Sequence, residues 1–377
     1  MTNCYMCGKV LNSENQSIEH ILPNSIGGRL TSSNLICKDC NSNLGNKFDS
    51  KLSSQLNFFS NILMIKRKRG NPQPELMENE KTGEKYFLDH EGIPTRDKPS
   101  FESTKMGDKL NFKIVARDMK EAREILTGLS KKYKNINVEE LLQQAENVSV
   151  DIQEPLYKTI TVGGKDCLPA ILKIALNFYI FKTEDLLSVK NAIDDLNNDR
   201  TDKIEPIVLE HRLFDLDEDE VSHSIYLRGS QTEHKLYAII ELFNVYQFIV
   251  KLSDSYNLPD IEELYVFDIL LCTEKSKVIK YRPDFSFVFN FIYPKSKPDF
   301  LILQNALNRF FSIAMGRQHS NHLRQMVTKA WDEIISSQIP EGGILTPEIA
   351  NSFSKRVAED FVKLAKKLAI FNNTNDI

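Results

Sequence analysis

Four cysteines stand as two C-x-x-C pairs inside the first forty residues, Cys4 with Cys7 and Cys37 with Cys40. In a reducing compartment such pairing reads as a metal site, not a disulfide framework. Each C-x-x-C turn sets two thiolates on one side of a tight knuckle. Two knuckles close a tetrahedral shell around Zn²⁺ with no open position, so the zinc is expected to be structural. Binding of that kind contributes on the order of 10–16 kcal/mol in small zinc peptides, enough to fold a segment with little core of its own. The polar groups between the pairs are few and chemically specific. Glu19 adjoins His20, Asn34 follows fourteen residues later, and Asn41 directly follows the last cysteine. An imidazole with an ordinary pKa of about 6.5 suits general-base work near neutral pH, worth roughly 10²–10⁴-fold.

These residues need a scaffold, and the sequence spells one out in order: Glu-His-Ile-x-Pro ending at Pro23, Gly27-Gly28-Arg29, Asn34-Leu35, then Cys-x-x-Cys-Asn ending at Asn41. The pattern resembles the HNH endonucleases, also called His-Me finger or ββα-metal nucleases, in the sub-group whose finger is braced by two C-x-x-C knuckles. The resemblance covers about the first 50 residues. It implies a strand carrying His20 as general base, with Glu19 and Asn41 as ligands of a catalytic Mg²⁺ or Mn²⁺, for which oxygen donors are suited. It implies that Asn34 braces the loop and the base. Adjacent side chains on a strand point to opposite faces, so Glu19 and His20 can serve one site only if the backbone bends there. Pro23 and the Gly-Gly loop are consistent with such a bend.

Charge is uneven along the chain. Of 377 residues, 48 are basic and 52 acidic. Residues 1–70 carry nine basic and four acidic side chains, a balance of +5 against −9 for the rest. A basic module on an acidic body points to an anionic partner for the N-terminus. Arg29, Lys38 and Lys47 lie near motif residues and are candidate phosphate contacts. Lys66, Arg67, Lys68 and Arg69 form a run that could track a nucleic-acid backbone. With 41% hydrophobic and 27% charged residues, the composition is globular. No stretch has the ~18 apolar residues of a membrane helix, and no apolar leader precedes Cys4. A soluble cytoplasmic protein is expected.

The expected fold class is α+β: a small zinc-braced ββα-metal finger (1–69), a polar linker (70–100) with a short hairpin near 85–87, and a larger mixed α+β body (101–377). In the body, 110–116 alternate as a strand. Asp118 with Glu121 forms a capping box for the helix that follows. Further helices are expected at 138–146, 168–182 and 184–196, then a strand-rich block at 205–293 that includes 223–228, 235–251, 264–271 and 285–292. Helices return at 298–315, 318–338 and 347–370, the last with Thr346 as N-cap and Pro347 at N1. Cys167 and Cys272 lie in apolar surroundings and read as buried and inert. Asp215, Asp217 and Asp219 mimic a calcium loop but lack its Gly and terminal Glu. His319 with His322 has no completing carboxylate nearby. Gly163-Gly164 lacks the rest of a phosphate loop.

The function expected is metal-dependent hydrolysis of DNA, with RNA also an eligible substrate. One such site cuts one strand, so double-strand cleavage calls for a homodimer or sequential nicking. The resemblance suggests a setting in phage defence or restriction. The alternatives are a zinc module that binds nucleic acid without cutting, and a nuclease effector gated by a small molecule bound to the body.

Overall fold

The computed structural model describes residues 3–67, 70–90, 92, 94–106, 109–146, 152, 155–292, 300–340 and 342–373. Lys68 and Arg69 lie outside them. The fold is mixed α+β, and the chain divides into two compact units, Met1–Phe310 and Phe311–Ile377.

The first unit opens with the finger. Strands β1 (Glu19–His20) and β2 (Thr31–Ser32) pair antiparallel, Glu19 opposite Ser32 and His20 opposite Thr31. Helix α1 (Lys38–Leu44) follows with Cys37 at its N-cap, and α2 (Ser50–Ile62) continues from it through a short π-helical turn, Gly45–Asp49. The two glycines of the loop are required by the backbone. Gly27 has φ +100°, and a Cβ on Gly28 would lie 2.0 Å from the Leu22 carbonyl oxygen, so no other residue fits there.

Residues 70–100, expected as a polar linker with a short hairpin near 85–87, hold more strand than that. They contribute β3 (Glu75–Asn79), β4 (Lys85–Leu88) and β5 (Pro94–Arg96). These join β8 (Leu156–Tyr157) in a sheet of order β5-β4-β3-β8. Strand β3 buries Glu75, Met77 and Asn79 alternately. Two of those three are polar, and that hid the alternation. Glu75 is met from α2, where Asn57 Nδ2 donates to its carboxylate and to the Gln73 carbonyl at 2.8 Å, while Asn79 Oδ1 accepts the Lys81 and Thr82 amides at 3.0 Å. Next come the hairpin of β6 (Ser100–Met106) and β7 (Lys109–Val115), then α3 (Met119–Lys132) and α4 (Val138–Gln143). Asp118 caps α3, accepting the Glu121 amide at 2.8 Å.

Helix α5 (Leu168–Thr183) has residues 169–180 buried all round its circumference, and α6 (Lys190–Asn197) packs beside it. Both lie against an antiparallel sheet of β9 (Ile204–Ile207), β10 (Ser222–Ser230), β11 (Lys235–Leu242), β12 (Tyr246–Ser253), β13 (Ile261–Asp268) and β14 (Thr273–Glu274), in the order β14-β13-β10-β11-β12-β9. The opposite face carries the core of Tyr226, Tyr237, Ile239, Ile249 and Val266, closed by Phe285 and Val288. Those last two belong to α7 (Phe285–Asn290), where a strand was expected. Asp284 accepts the Phe287 amide at 2.7 Å and starts a helix whose buried residues recur every three positions. The dense Phe run imitated strand alternation. Residues 235–251 form two strands, joined at Phe243 and Asn244, which have φ of +59° and +55°, the pair of left-handed residues that a two-residue hairpin turn needs. Cys167 is buried, whereas Cys272 is exposed on a turn, contrary to expectation.

Helix α8 (Phe300–Ala330) runs as one element where two were expected. The second unit holds its later residues, a π-helical turn at Trp331–Ser336, and α9 (Pro347–Asn373). Trp331 meets Phe353 edge-on at 6.0 Å, and Arg356 pairs with Glu333 at 3.2 Å. Among the described residues, no helix is long and apolar enough to cross a membrane.

Candidate active site

The metal centre is built by two loops. Gly8, with φ +73°, follows the first knuckle, and its amide donates to the Cys4 carbonyl at 2.8 Å. The second knuckle is the first turn of α1. The Sγ atoms of Cys4, Cys7, Cys37 and Cys40 all lie within 4.8 Å of one another, and Cys7 and Cys37 are 3.8 Å apart. Zn–S bonds of about 2.3 Å in a tetrahedron put sulfur atoms about 3.8 Å apart. Donor type, number and spacing therefore fit a structural zinc held entirely by protein ligands.

Strand β1 alternates as a strand must. Glu19 is buried and His20 is half-buried on the opposite face. The expected backbone bend that would aim both at one site is not what the pairing with β2 gives. Asn41 sits in the first turn of α1, where its Nδ2 donates to Ser17 Oγ at 2.8 Å. That bond ties the helix start to the chain entering β1. Asn34 is exposed in the turn after β2, where its amide N–H donates to Ser32 Oγ at 3.2 Å and its side-chain oxygen accepts from Ser33 at 3.3 Å.

The inner face of the finger holds a buried polar cluster that sequence reading missed. Lys173 of α5 lies 2.6 Å from Glu19 Oε1 and 2.6 Å from Asp49 Oδ2. One helical turn on, Asn177 Nδ2 donates to Glu19 Oε1 at 3.0 Å and its Oδ1 accepts from the Tyr5 hydroxyl at 2.8 Å. Burial pushes the Glu19 carboxyl above the usual carboxylate range, against the pull of Lys173. Burial also opposes the Lys173 charge, but Asp49 and Glu19 together raise the ammonium above the ordinary lysine value. One cation is thus shared by two acids. The signal was present in the sequence: Lys173 and Asn177, four apart, are polar interruptions in a helix otherwise apolar all round. This placement differs from the ligand role expected of Glu19, whose carboxylate already holds an ammonium and an amide.

A second contact joins the Gly-Gly loop to the sheet. His223, fully buried at the start of β10, accepts the Phe243 amide at Nδ1 (3.0 Å), which leaves Nε2–H to donate to the Ile26 carbonyl at 2.8 Å. Burial pulls its pKa down to about 4, so the ring is neutral near pH 7.

The expected phosphate contacts have mixed fates. Arg29 Nη1 donates to Asn24 Oδ1 at 2.6 Å and its Nη2 to the Lys66 carbonyl, so it braces the loop. Lys38 donates to the Glu14 carbonyl at 2.7 Å. Lys47 pairs with Asp199 at 2.6 Å, both about half exposed. Arg67 donates to Asn57 Oδ1 at 2.9 Å. Lys66 is exposed.

No curated protein and no solved structure matches the chain. Residues 4–57 match the family model described as HNH endonuclease, a span that takes in both cysteine pairs, β1, β2, α1 and most of α2. With its four thiols gathered for one metal and its strand pair leading into a helix, this N-terminal segment has the make-up of the nuclease-like HNH domain that the family match indicates.

Proposed function

We propose that the protein is an endonuclease that hydrolyses DNA phosphodiester bonds, with His20 as general base. The observation that carries this reading is the family match over a finger in which His20 lies on the face opposite the body-bound Glu19. His20 takes a proton from water, the water oxygen attacks phosphorus, and the 3′ oxygen leaves, giving 5′-phosphate and 3′-hydroxyl ends. Asn34, in the turn after β2, and Asn41, at the start of α1, are proposed to serve the same site. A divalent ion such as Mg²⁺ or Mn²⁺, of the kind the family uses, supplies charge stabilisation to the phosphate when bound. Asn41 is the residue here suited to hold it. Glu19, engaged by Lys173 and Asn177, does not fit that part.

The body is proposed to supply targeting, regulation or dimerisation, and a homodimer would let two fingers cut both strands. A role in phage defence or restriction is proposed on the resemblance alone. The test is plasmid cleavage in Mg²⁺ or Mn²⁺. His20→Ala should keep its zinc and its fold while cutting at least about 100-fold more slowly, the lower bound for losing a general base. Equal cutting by His20→Ala and wild type refutes the reading and leaves a zinc module that binds nucleic acid. An RNA substrate in parallel decides the nucleic acid.

A further inference from the structure

The finger's inner acid faces a cation supplied by the protein itself. Lys173 Nζ lies at 2.6 Å from one oxygen of Glu19 and one of Asp49, a two-carboxylate cradle about a single positive centre. The Lys173 and Glu19 side chains are only 2% and 4% exposed. Lys173 is fixed on a helix buried on every side, so it cannot swing clear without unpacking α5. Asn177, itself fully buried, completes the shell by donating to the same Glu19 oxygen.

We infer that Lys173 is the resident cation of this cradle: its ammonium fills the position between Glu19 and Asp49 that a divalent ion would take, and Glu19 fastens the finger to α5 instead of ligating a metal. The assignment is independent of whether the finger cuts. It makes a chemical prediction. Truncating Lys173 leaves two carboxylates facing one gap, and the side chain of Asp49, 24% exposed, opens that gap toward water. Hard divalent cations bind such oxygen pairs, and a ligand that binds only the folded state raises its stability.

The experiment uses the full zinc-loaded chain, with thermal unfolding followed by circular dichroism with and without millimolar Mn²⁺. Lys173→Ala should melt lower than wild type and recover by several degrees in Mn²⁺. The Glu19→Gln/Lys173→Ala double variant should lose that recovery. Absence of any Mn²⁺ response in folded Lys173→Ala overturns the inference. So does a wild-type Mn²⁺ response that Glu19→Gln abolishes, since Glu19 would then be a ligand with the lysine in place. A wild-type response that Glu19→Gln leaves intact belongs to other ligands and sustains it. Should Lys173→Ala fail to fold, Glu19→Gln alone decides. Its Mn²⁺ affinity, read by electron paramagnetic resonance, should equal wild type's, and a loss of tenfold or more overturns the assignment.

Discussion

Acidification should loosen the joint between finger and sheet through one residue, His223. Its ring is fully buried, with both nitrogens used: Nδ1 accepts from Phe243 and Nε2–H donates to Ile26. The Phe243 ring stands nearly perpendicular to it, with centroids 4.6 Å apart. A second proton would have to enter at Nδ1, where it would meet the Phe243 N–H. The folded pKa of about 4 lies below the unfolded value of about 6.5. The sign follows. The unfolded chain takes up the proton first, so the contribution of His223 is complete above about pH 6.5 and is lost as pH falls toward 4. At 1.36 kcal/mol per pKa unit, the loss relative to pH 7 is about 2 kcal/mol at pH 5 and about 3 kcal/mol at pH 4. Urea unfolding of wild type and His223→Gln between pH 7 and 4 measures it. Gln keeps a donor for Ile26 and cannot titrate. Thiolate protonation and the carboxylates act on both proteins alike, so the difference between the two curves isolates the imidazole. Wild type should lead at pH 7 and the gap should close by about 2–3 kcal/mol on acidification. Parallel curves would refute a neutral, buried His223.

Cys37→Ser should drop the zinc content from one atom per chain to near none by metal analysis, with a lower melting temperature, because a structural site of this kind contributes folding energy outright. Retention of a full zinc equivalent would count against the four-thiol centre. Gly28→Ala places a Cβ 2.0 Å from the Leu22 carbonyl oxygen, so chemical denaturation should show a loss of about 3 kcal/mol or more, the upper range for forced overpacking. Lys47→Ala removes an exposed pair with Asp199 and a cation–π contact 4.9 Å from the Phe48 ring centroid, and stability should change by less than about 2 kcal/mol. If the same variant weakens DNA binding in a salt-dependent manner, Lys47 exchanges its carboxylate for phosphate when DNA arrives.

The metal centre was legible because its chemistry is local. Two C-x-x-C pairs fix their own geometry within four residues each, and both landed on knuckles. Asp118 and Thr346 were legible as caps for the same reason. The roles of Glu19 and Arg29 were not, because their partners come from far along the chain. Nothing near Glu19 in sequence announces Lys173, 154 positions away, and nothing near Arg29 announces the Lys66 carbonyl. Residues 70–100 misled in another way: β3 buries a glutamate and an asparagine, which read as solvent-facing until α2 supplies a partner for Glu75 and the following turn supplies two for Asn79. At 285–292 the spacing of apolar residues fitted two periods at once, and the Asp284 cap decided for helix.

The finger is held from within by its four-thiol centre. Here its inner face is also packed into the first unit. Phe59 of α2 sits within 5.0–5.6 Å of Phe243, Tyr246 and Phe310. Tyr5, between the first two cysteines, reaches Asn177, and His223 holds the loop at Ile26. On the proposed function the His20 side is the one that takes nucleic acid, and the basic residues sort by what it would take to recruit them. Arg29 makes three hydrogen bonds that shape the loop, so turning it to a phosphate would dismantle the loop. Lys173 is sealed between two acids. Lys47 is held by an exposed ion pair with Asp199, worth roughly 0–1 kcal/mol, and by a cation–π contact 4.9 Å from the Phe48 ring centroid, so phosphate competes for it at modest cost. If the finger cuts DNA as proposed, the +5 of the first seventy residues acts as a local attraction on a chain of net charge −4, and close phosphate contact falls to the few cations whose present partners are weak.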